Sequence, residues 1–523
     1  MNPESGTTPQ SPRTRAALLA CGLLLICCVG IVLPRFGLSP TAAWSAGTIL
    51  LMAFWWITQP IPLWATALLP IPIFPLLAKV PLLPVLYAYL DPVNFLFLGG
   101  MLIAACMEQW GLHQRLALGI VSRLGVSPRR IVLGFMLATG FITLWISNTA
   151  TALLMYPIAL AVLRRFEKDR DPNNPILRRF GSALMLGIAY AASIGGIGSK
   201  IGTGPNLIFV KQAASVGVAD VDFLSWLKVG FPIVAVYLPL VWFYLVRVAE
   251  PLPAEDFPGG RAAIDEARRR QGAMSRGEWA ALTGFLIAAF LWTFRQEMDL
   301  GFVKIPGWTT IAPWSWQEIL GPLLPQLPAP VAKFFASNAV DSQVAMIVGL
   351  LLLLIPIRLD PFTPALSLRS ARKISWDMLL LLGGGFALAE GMQKGGLSDA
   401  IAQGLKTLPV VHPFLLLLIV CLITVALSEV ASNVATASIL LPLLAASSNS
   451  LGMHPAPLML AATMAASFGF MFPAGTPPNA IVFASGYLTV PRMVRSGFLV
   501  DLGGALLIAM ACYWIAPHAL RLR

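Results

Sequence analysis

Ile146-Ser-Asn-Thr-Ala-Thr151 and Ala431-Ser-Asn-Val-Ala-Thr436 are two versions of one hexapeptide, standing 285 positions apart. Upstream of each lies a matching pair of landmarks: Phe97-Leu-Gly-Gly100 with Gly111-Leu112, and Leu382-Gly-Gly-Gly385 with Gly396-Leu397, again 285 positions apart. Downstream, Gly202-Thr-Gly-Pro-Asn206 recurs as Gly475-Thr-Pro-Pro-Asn479 after 273 positions. Three motifs in one order at nearly one offset mark an internal duplication, an arrangement common in membrane proteins built from repeats.

The composition says what is duplicated. Of 523 residues, 57% are hydrophobic and only 11% charged, whereas soluble chains average about 25% charged. This is an integral membrane protein with apolar length for about ten or more crossings of roughly 20 residues each. The 42 prolines and 44 glycines suit helices that break where they line a polar cavity. A net charge of +12 does not indicate nucleic acid, because Lys and Arg sit in short clusters between apolar runs, as the positive-inside rule describes. The six cysteines all lie in apolar stretches without metal spacing, so disulfides are not expected. With no Walker loop, no His or Cys cluster and only four histidines, nothing points to an enzyme or a cofactor.

Basic flanks orient the runs. Arg13 and Arg15 put the N-terminus in the cytoplasm, before a first crossing over about 16–33. Crossings at about 42–57, 61–77 and 94–107 follow. The Arg-rich loop 250–278 is expected in the cytoplasm, and the stretch 295–341, with Trp308, Trp314 and Trp316, outside. Segment 131–163 is bracketed by Arg129 and Arg130 before it and by Arg164, Arg165 and Lys168 after it, so both ends face the cytoplasm. As one helix it would run roughly 50 Å at 1.5 Å per residue, too long for a chain that returns to its own side. Two half-helices fit, forming a re-entrant hairpin with Ser147, Asn148 and Thr149 at its tip. Segment 413–446 lacks such flanks and would re-enter from outside, with Ser432 and Asn433 at its tip. The two copies therefore read as an inverted repeat.

Backbone groups at a hairpin tip are costly in hydrocarbon unless they line a polar site. Half-helix N-termini offer N–H donors to an anion, and carbonyls at a break offer hard oxygens to a cation. Ser, Asn and Thr side chains serve either. Taken singly, a Ser-Asn-Thr run is more often a packing patch; two copies, each followed by a Gly-Thr-x-Pro-Asn break, argue for a site. Glu108 and Glu390 lie near run ends and read as paired or snorkelled, and Glu429 as a brace for the second tip or, second to that, as a proton or cation site. Lys200, three residues before Thr203, is either a fixed charge serving the anion or replacing a cation, or a lysine reaching cytoplasmic water.

These motifs, with Trp55-Trp-Ile-Thr-Gln-Pro-Ile-Pro62, Ala192-Ser-Ile-Gly-Gly196 and Phe472-Pro-Ala-Gly-Thr-Pro-Pro-Asn479, resemble the divalent anion:sodium symporter family, carriers of di- and tricarboxylates or sulfate. The resemblance covers nearly the whole chain. It implies eleven spanning helices, two re-entrant hairpins, and a homodimer in which transport domains move as elevators against scaffold domains. On this chain that gives scaffold helices at 1–90, a first transport core at 91–222, scaffold helices at 223–375, a second transport core at 376–490 and a C-terminal helix at 491–523. It implies a first sodium site at Thr143, Ser147, Asn148 and Gly202, and a second at Ser428, Ala431, Asn433, Gly475 and Pro477. Substrate contacts would come from Ser147, Asn148, Thr149, Thr203, Ser432, Asn433 and Thr476. Three positions depart from the family pattern: Val434 where Thr is frequent, Gln59 where Glu is usual, and Lys200 where an apolar residue or Pro is usual. The expected function is sodium-coupled uptake of C4 dicarboxylates into the cell across its plasma membrane, with a sodium-independent exchanger, or a sulfate or citrate carrier, as alternatives.

Overall fold

The computed structural model describes residues 11–125, 127–167, 174–218, 221–255, 268–269, 271–299, 304–311, 340–404, 411–448 and 450–520. Trp314, Trp316, residues 256–267 and 270 of the loop 250–278, and most of the stretch 295–341 lie outside the described residues.

Among the described residues the chain is mostly helical, with two short two-stranded ribbons. Helices α1 (Pro12–Val32) and α2 (Pro40–Thr58) pack together. Next come α3 (Pro92–Gln109), α4 (Leu112–Leu124), α5 (Pro128–Thr143), α6 (Asn148–Glu167), α7 (Pro175–Gly196) and α8 (Gly204–Ser215). After α9 (Phe223–Tyr244), α10 (Arg276–Thr293) and α11 (Val340–Leu354), the same series returns. It runs α12 (Trp376–Lys394), α13 (Leu397–Gly404), α14 (Pro413–Ser428), α15 (Asn433–Ser447), α16 (Pro455–Ala465) and α17 (Pro477–Phe483), and α18 (Val490–Trp514) follows it. Helix boundaries keep the offset of the sequence motifs. Leu112 and Leu397, Pro128 and Pro413, Thr143 and Ser428, and Asn148 and Asn433 each stand 285 positions apart. So do the prolines inside the second arms, Pro157 and Pro442.

Many of the prolines are used to start helices. Pro92, Pro128, Pro175, Pro413, Pro455 and Pro477 all fall at the first helical position, where the missing N–H costs nothing and φ is already set. Side-chain caps support several of them, as at Asp91, whose carboxylate accepts from Val93 N–H, and Ser127, whose hydroxyl accepts from Arg130 N–H.

Among the described residues, five helical stretches are long and apolar enough to cross a membrane by length and composition: 12–36, 40–58, 82–109, 223–249 and 490–514. Other apolar helices are shorter, including both arms of the second hairpin. The run 61–77, expected as one crossing, is instead two short helices, Leu63–Thr66 and Pro70–Leu77. Pro60, Pro62, Pro70 and Pro72 remove the backbone donors that one continuous helix would need. The run expected at 94–107 belongs to a longer apolar stretch that begins at Leu82.

At the centre lie α7 and α16, most of whose residues are buried. Around them the two series exchange partners. The second arm of the first hairpin, α6, packs on α17, and the second arm of the second hairpin, α15, packs on α8. Each tip is thereby brought beside the broken helix of the other copy.

Candidate functional site

The first tip is the turn 144–147, between α5 and α6. Thr143 ends α5, and its hydroxyl lies 3.1 Å from Ala192 O and 3.0 Å from the Asn148 side-chain amide. The same atom of that amide lies 3.1 Å from Ala192 O and 3.2 Å from Gly202 O. With nitrogen there, the amide donates to all three oxygens. With oxygen there, side-chain and main-chain oxygens converge with a single hydroxyl proton among them, a donor set that suits a hard cation.

The second tip repeats this. Ser428 ends α14, and its hydroxyl donates to Asn433 Oδ1 at 3.1 Å and to Ala466 O at 2.6 Å. Thr143 and Ser428, Asn148 and Asn433, and Ala192 and Ala466 thus hold corresponding places in two cradles.

The breaks that complete the cradles are braced by asparagine. Asn206 Nδ2 donates to Gly196 O at 3.0 Å and Ser199 O at 2.7 Å. Asn479 Nδ2 donates to Gly469 O at 2.8 Å and Phe472 O at 2.9 Å. These four carbonyls belong to the unwound ends of α7 and α16, where no helical partner exists. The glycines permit the close approach. A Cβ on Gly202 would stand 2.8 Å from Thr143 O, and one on Gly475 would stand 2.7 Å from Glu429 Oε2, distances real side chains do not adopt.

Glu429 is the brace expected of it. Its carboxylate accepts from Met471 N–H at 2.8 Å and Phe472 N–H at 3.1 Å, and Asp501 accepts from Phe470 N–H at 3.2 Å. Glu390 pairs with Lys394 one turn along α12 at 3.3 Å, and Glu108 is exposed on the wall of a cavity.

That cavity, of about 360 Å³, is lined at its inner end by Ile146, Ser147 and Ile201, and at its outer end by Glu108, Gln109 and Lys373. The Ser147 hydroxyl also caps α6, accepting from Ala150 N–H at 3.4 Å. Thr149, Ser432 and Asn433 are half-buried; Thr203 is buried at the start of α8, and Thr476 caps α17 from a buried position. Ala431 lies in the second turn, Val434 packs against Gly204, and Pro477 opens α17. Gln59 adopts a left-handed conformation that ends α2. Of the residues expected at the first tip, the structure brings together Thr143, Asn148 and Gly202, with Ser147 turned into the cavity.

Lys200 lies buried in the first break. Its side chain is 4% exposed, so it does not reach water, and its ammonium lies 2.8 Å from Asp341 Oδ2. Its charge is therefore compensated within the protein. Asp341 was not legible as its partner because 141 positions separate them, and Asn206 and Asn479 were read as parts of a break, not as its braces.

Residues 14–519 match the family described as "Sodium:sulfate symporter transmembrane region". The chain belongs to the divalent anion:sodium symporter family. These symporters are membrane transporters, not enzymes. The chain is 35% identical over 505 residues to the sodium-dependent dicarboxylate transporter SdcS of Staphylococcus saprophyticus, covering 96% of this chain and 91% of that one. It is 36% identical over 472 residues to the SdcS of a Staphylococcus aureus strain, covering 90% and 85%. Among solved structures, the YdaH transporter of Alcanivorax borkumensis, whose crystal structure is described as revealing an unusual topology, superposes with a TM-score of 0.52 over 82% of this chain and 86% of that one. At 16% identity this likeness concerns the fold alone.

Proposed function

We propose that this symporter takes up C4 dicarboxylates such as succinate, malate and fumarate together with sodium. The observation that carries the reading is the duplicated cradle. Thr143–Asn148 and Ser428–Asn433 each set a hydroxyl, an amide and main-chain carbonyls at the foot of a helix that begins with the asparagine. Carbonyl and amide oxygens suit sodium. Helix N-termini at α6, α8 and α15 offer N–H groups to carboxylates. Two cradles about one anion match a substrate with two carboxylates, and the relatives named sodium-dependent dicarboxylate transporters support both ion and substrate.

In this reading the first cradle holds one sodium at Thr143, Ser147, Asn148 and Gly202, and the second holds another at Ser428, Ala431, Asn433, Gly475 and Pro477. Ser147, Asn148, Thr149, Thr203, Ser432, Asn433 and Thr476 face the dicarboxylate. The carrier sits in the plasma membrane with its N-terminus in the cytoplasm. It forms a homodimer whose scaffold helices stay fixed while the inverted-repeat cores move as elevators. The cavity, lined at its outer end by Glu108 and Lys373, then opens to the cytoplasm, since Arg369, Arg372 and Lys373 form one of the basic clusters of the positive-inside pattern.

The test is uptake of labelled succinate into proteoliposomes with and without an inward sodium gradient. Concentrative uptake only with sodium is expected. Uptake without sodium, stimulated by dicarboxylate inside, would replace symport by exchange; no uptake in either condition would move the substrate to sulfate or citrate.

A further inference from the structure

Two ion pairs tie the first break and the helix after it to α3 and α11. Lys200, in the break, bonds to Asp341 in the first turn of α11. Lys211, on α8, bonds at 2.5 Å to Asp91, which caps the N-terminus of α3. Helices α3 and α11 pack side by side and run the same way, for Gly99 lies against Ala345 and Gly349 against Leu102. Asp91 and Asp341 therefore stand at the same end of this helix pair.

The cavity lies toward the opposite end. Its lining on α3 begins at Phe97 and continues through Gly100 and Ala104 to Glu108 and Gln109. One side of the site is thus open along the C-terminal half of α3, and the other is closed by Lys200–Asp341 and Lys211–Asp91.

We propose that Lys200 and Asp341, which join the first transport core to the scaffold helices, form the gate on the closed side. The pair is made while the cavity is open at the Glu108–Lys373 end, and it parts when the site opens at the other end. This rests on the carrier reading above, because only a carrier must present its site to both sides in turn. The Lys200–Asp341 side chains are 4% and 6% exposed. A buried pair broken in place leaves uncompensated charge, which is strongly unfavourable, so separation has to accompany the entry of water. The surroundings ease that step for one partner. Arg295 Nε lies 3.4 Å from Asp341 Oδ1, so Asp341 keeps a cation beside it when Lys200 leaves, and Trp292 Nε1 holds the Asp341 carbonyl at 3.0 Å. Lys200 is the mobile half of the gate and Asp341 the fixed half. Both are positioning residues for the conformational step of transport, not contacts to the anion.

The experiment places a reporter cysteine at Ala104, in a chain whose six native cysteines are replaced, and follows its labelling by a membrane-impermeant maleimide without substrate. With the gate intact, labelling is fast. In Lys200→Met and Asp341→Asn it slows by at least about fivefold, the low end of typical coupling between two states. Lys200→Arg, which preserves the pair, labels like the parent. Unchanged labelling in monodisperse Lys200→Met and Asp341→Asn would overturn the gate. Should those buried variants fail to fold, Lys200→Gln, which keeps a polar side chain, carries the same test, with slowing expected and unchanged labelling overturning the proposal. The readout needs no transport, so a failure of dicarboxylate uptake would count against the substrate and leave the result on the gate standing.

Discussion

Asn206 and Asn479 make the same pair of hydrogen bonds in different halves of the chain, each amide clasping two carbonyls of the unwound segment that precedes it. The carbonyls, Gly196 and Gly469 on one side and Ser199 and Phe472 on the other, are all 273 positions apart, like the asparagines themselves. Replacing either asparagine with alanine leaves two buried carbonyls without a donor. Each Asn→Ala variant is expected to lose about 1–3 kcal/mol, read as a lower midpoint in detergent thermal unfolding. An unshifted midpoint in both would show that water replaces the amide and that the brace is dispensable.

Asn148→Ala and Asn433→Ala are expected to abolish succinate uptake while the purified proteins remain monodisperse. Each removes an asparagine that opens a helix and that, in the proposed reading, also belongs to a sodium cradle. Normal uptake by either variant would sink the assignment of its cradle.

Thr143→Val and Ser428→Ala remove a hydroxyl that sits among carbonyls and leave the helix start in place. Their effect should fall on the ion. The sodium concentration for half-maximal uptake is expected to rise about tenfold, equivalent to roughly 1.4 kcal/mol, while the dicarboxylate KM at saturating sodium changes less. A rise confined to the dicarboxylate KM would reassign the hydroxyls to the substrate.

Glu429→Leu deprives Met471 and Phe472 N–H of their acceptor. Two buried N–H groups left without an acceptor cost about 1–3 kcal/mol each, so this variant should be the least stable of the set, and Glu429→Gln intermediate. Equal unfolding midpoints for Glu429→Leu and the parent would remove the bracing role.

The junction of α4 and α10 gives a pH dependence. Burial by itself raises the Glu278 carboxyl, but its bonds to Arg115 and Ser275 outweigh burial and hold it below the usual carboxylate range. A carboxyl lowered on folding contributes stability that is complete above its unfolded value, about 4.3, and is lost as pH falls from there through the lower folded value. The midpoint of the parent should therefore exceed that of Glu278→Gln near neutrality, and the gap should close as pH drops below about 4. A gap that stays constant over that range would contradict the ionic origin.

Much of this arrangement was legible before any coordinates. The 285-position offset located both hairpins, and the tips fall between Thr143 and Asn148 and between Ser428 and Asn433, inside the segments read from charge flanks. Helix propensity and periodicity contributed little there, because the decisive signals were residues that interrupt helices. The same reasoning did not show the break inside 61–77, where a turn between Leu63–Thr66 and Pro70–Leu77 interrupts the apolar run. It also left Lys200 undecided. An ion pair across 141 positions is a property of packing, and a single sequence carries no trace of it. The asparagine braces were visible as letters of a motif but not as donors, since their acceptors are main-chain atoms that any residue supplies.

The exchange of partners between the two halves bears on how the protein is made. Helix α6 packs on α7 within its own half but also on α17, and α8 packs on α15 and α16. A nascent chain that has delivered the first hairpin to the bilayer must therefore hold α6 without one of its packing partners until Pro477–Phe483 has left the ribosome. During that interval one face of α6 and one face of α8 wait for the last third of the polypeptide to cover them. Premature termination in that last third should yield not a smaller working unit but a chain held by the insertion machinery and handed to quality-control proteases.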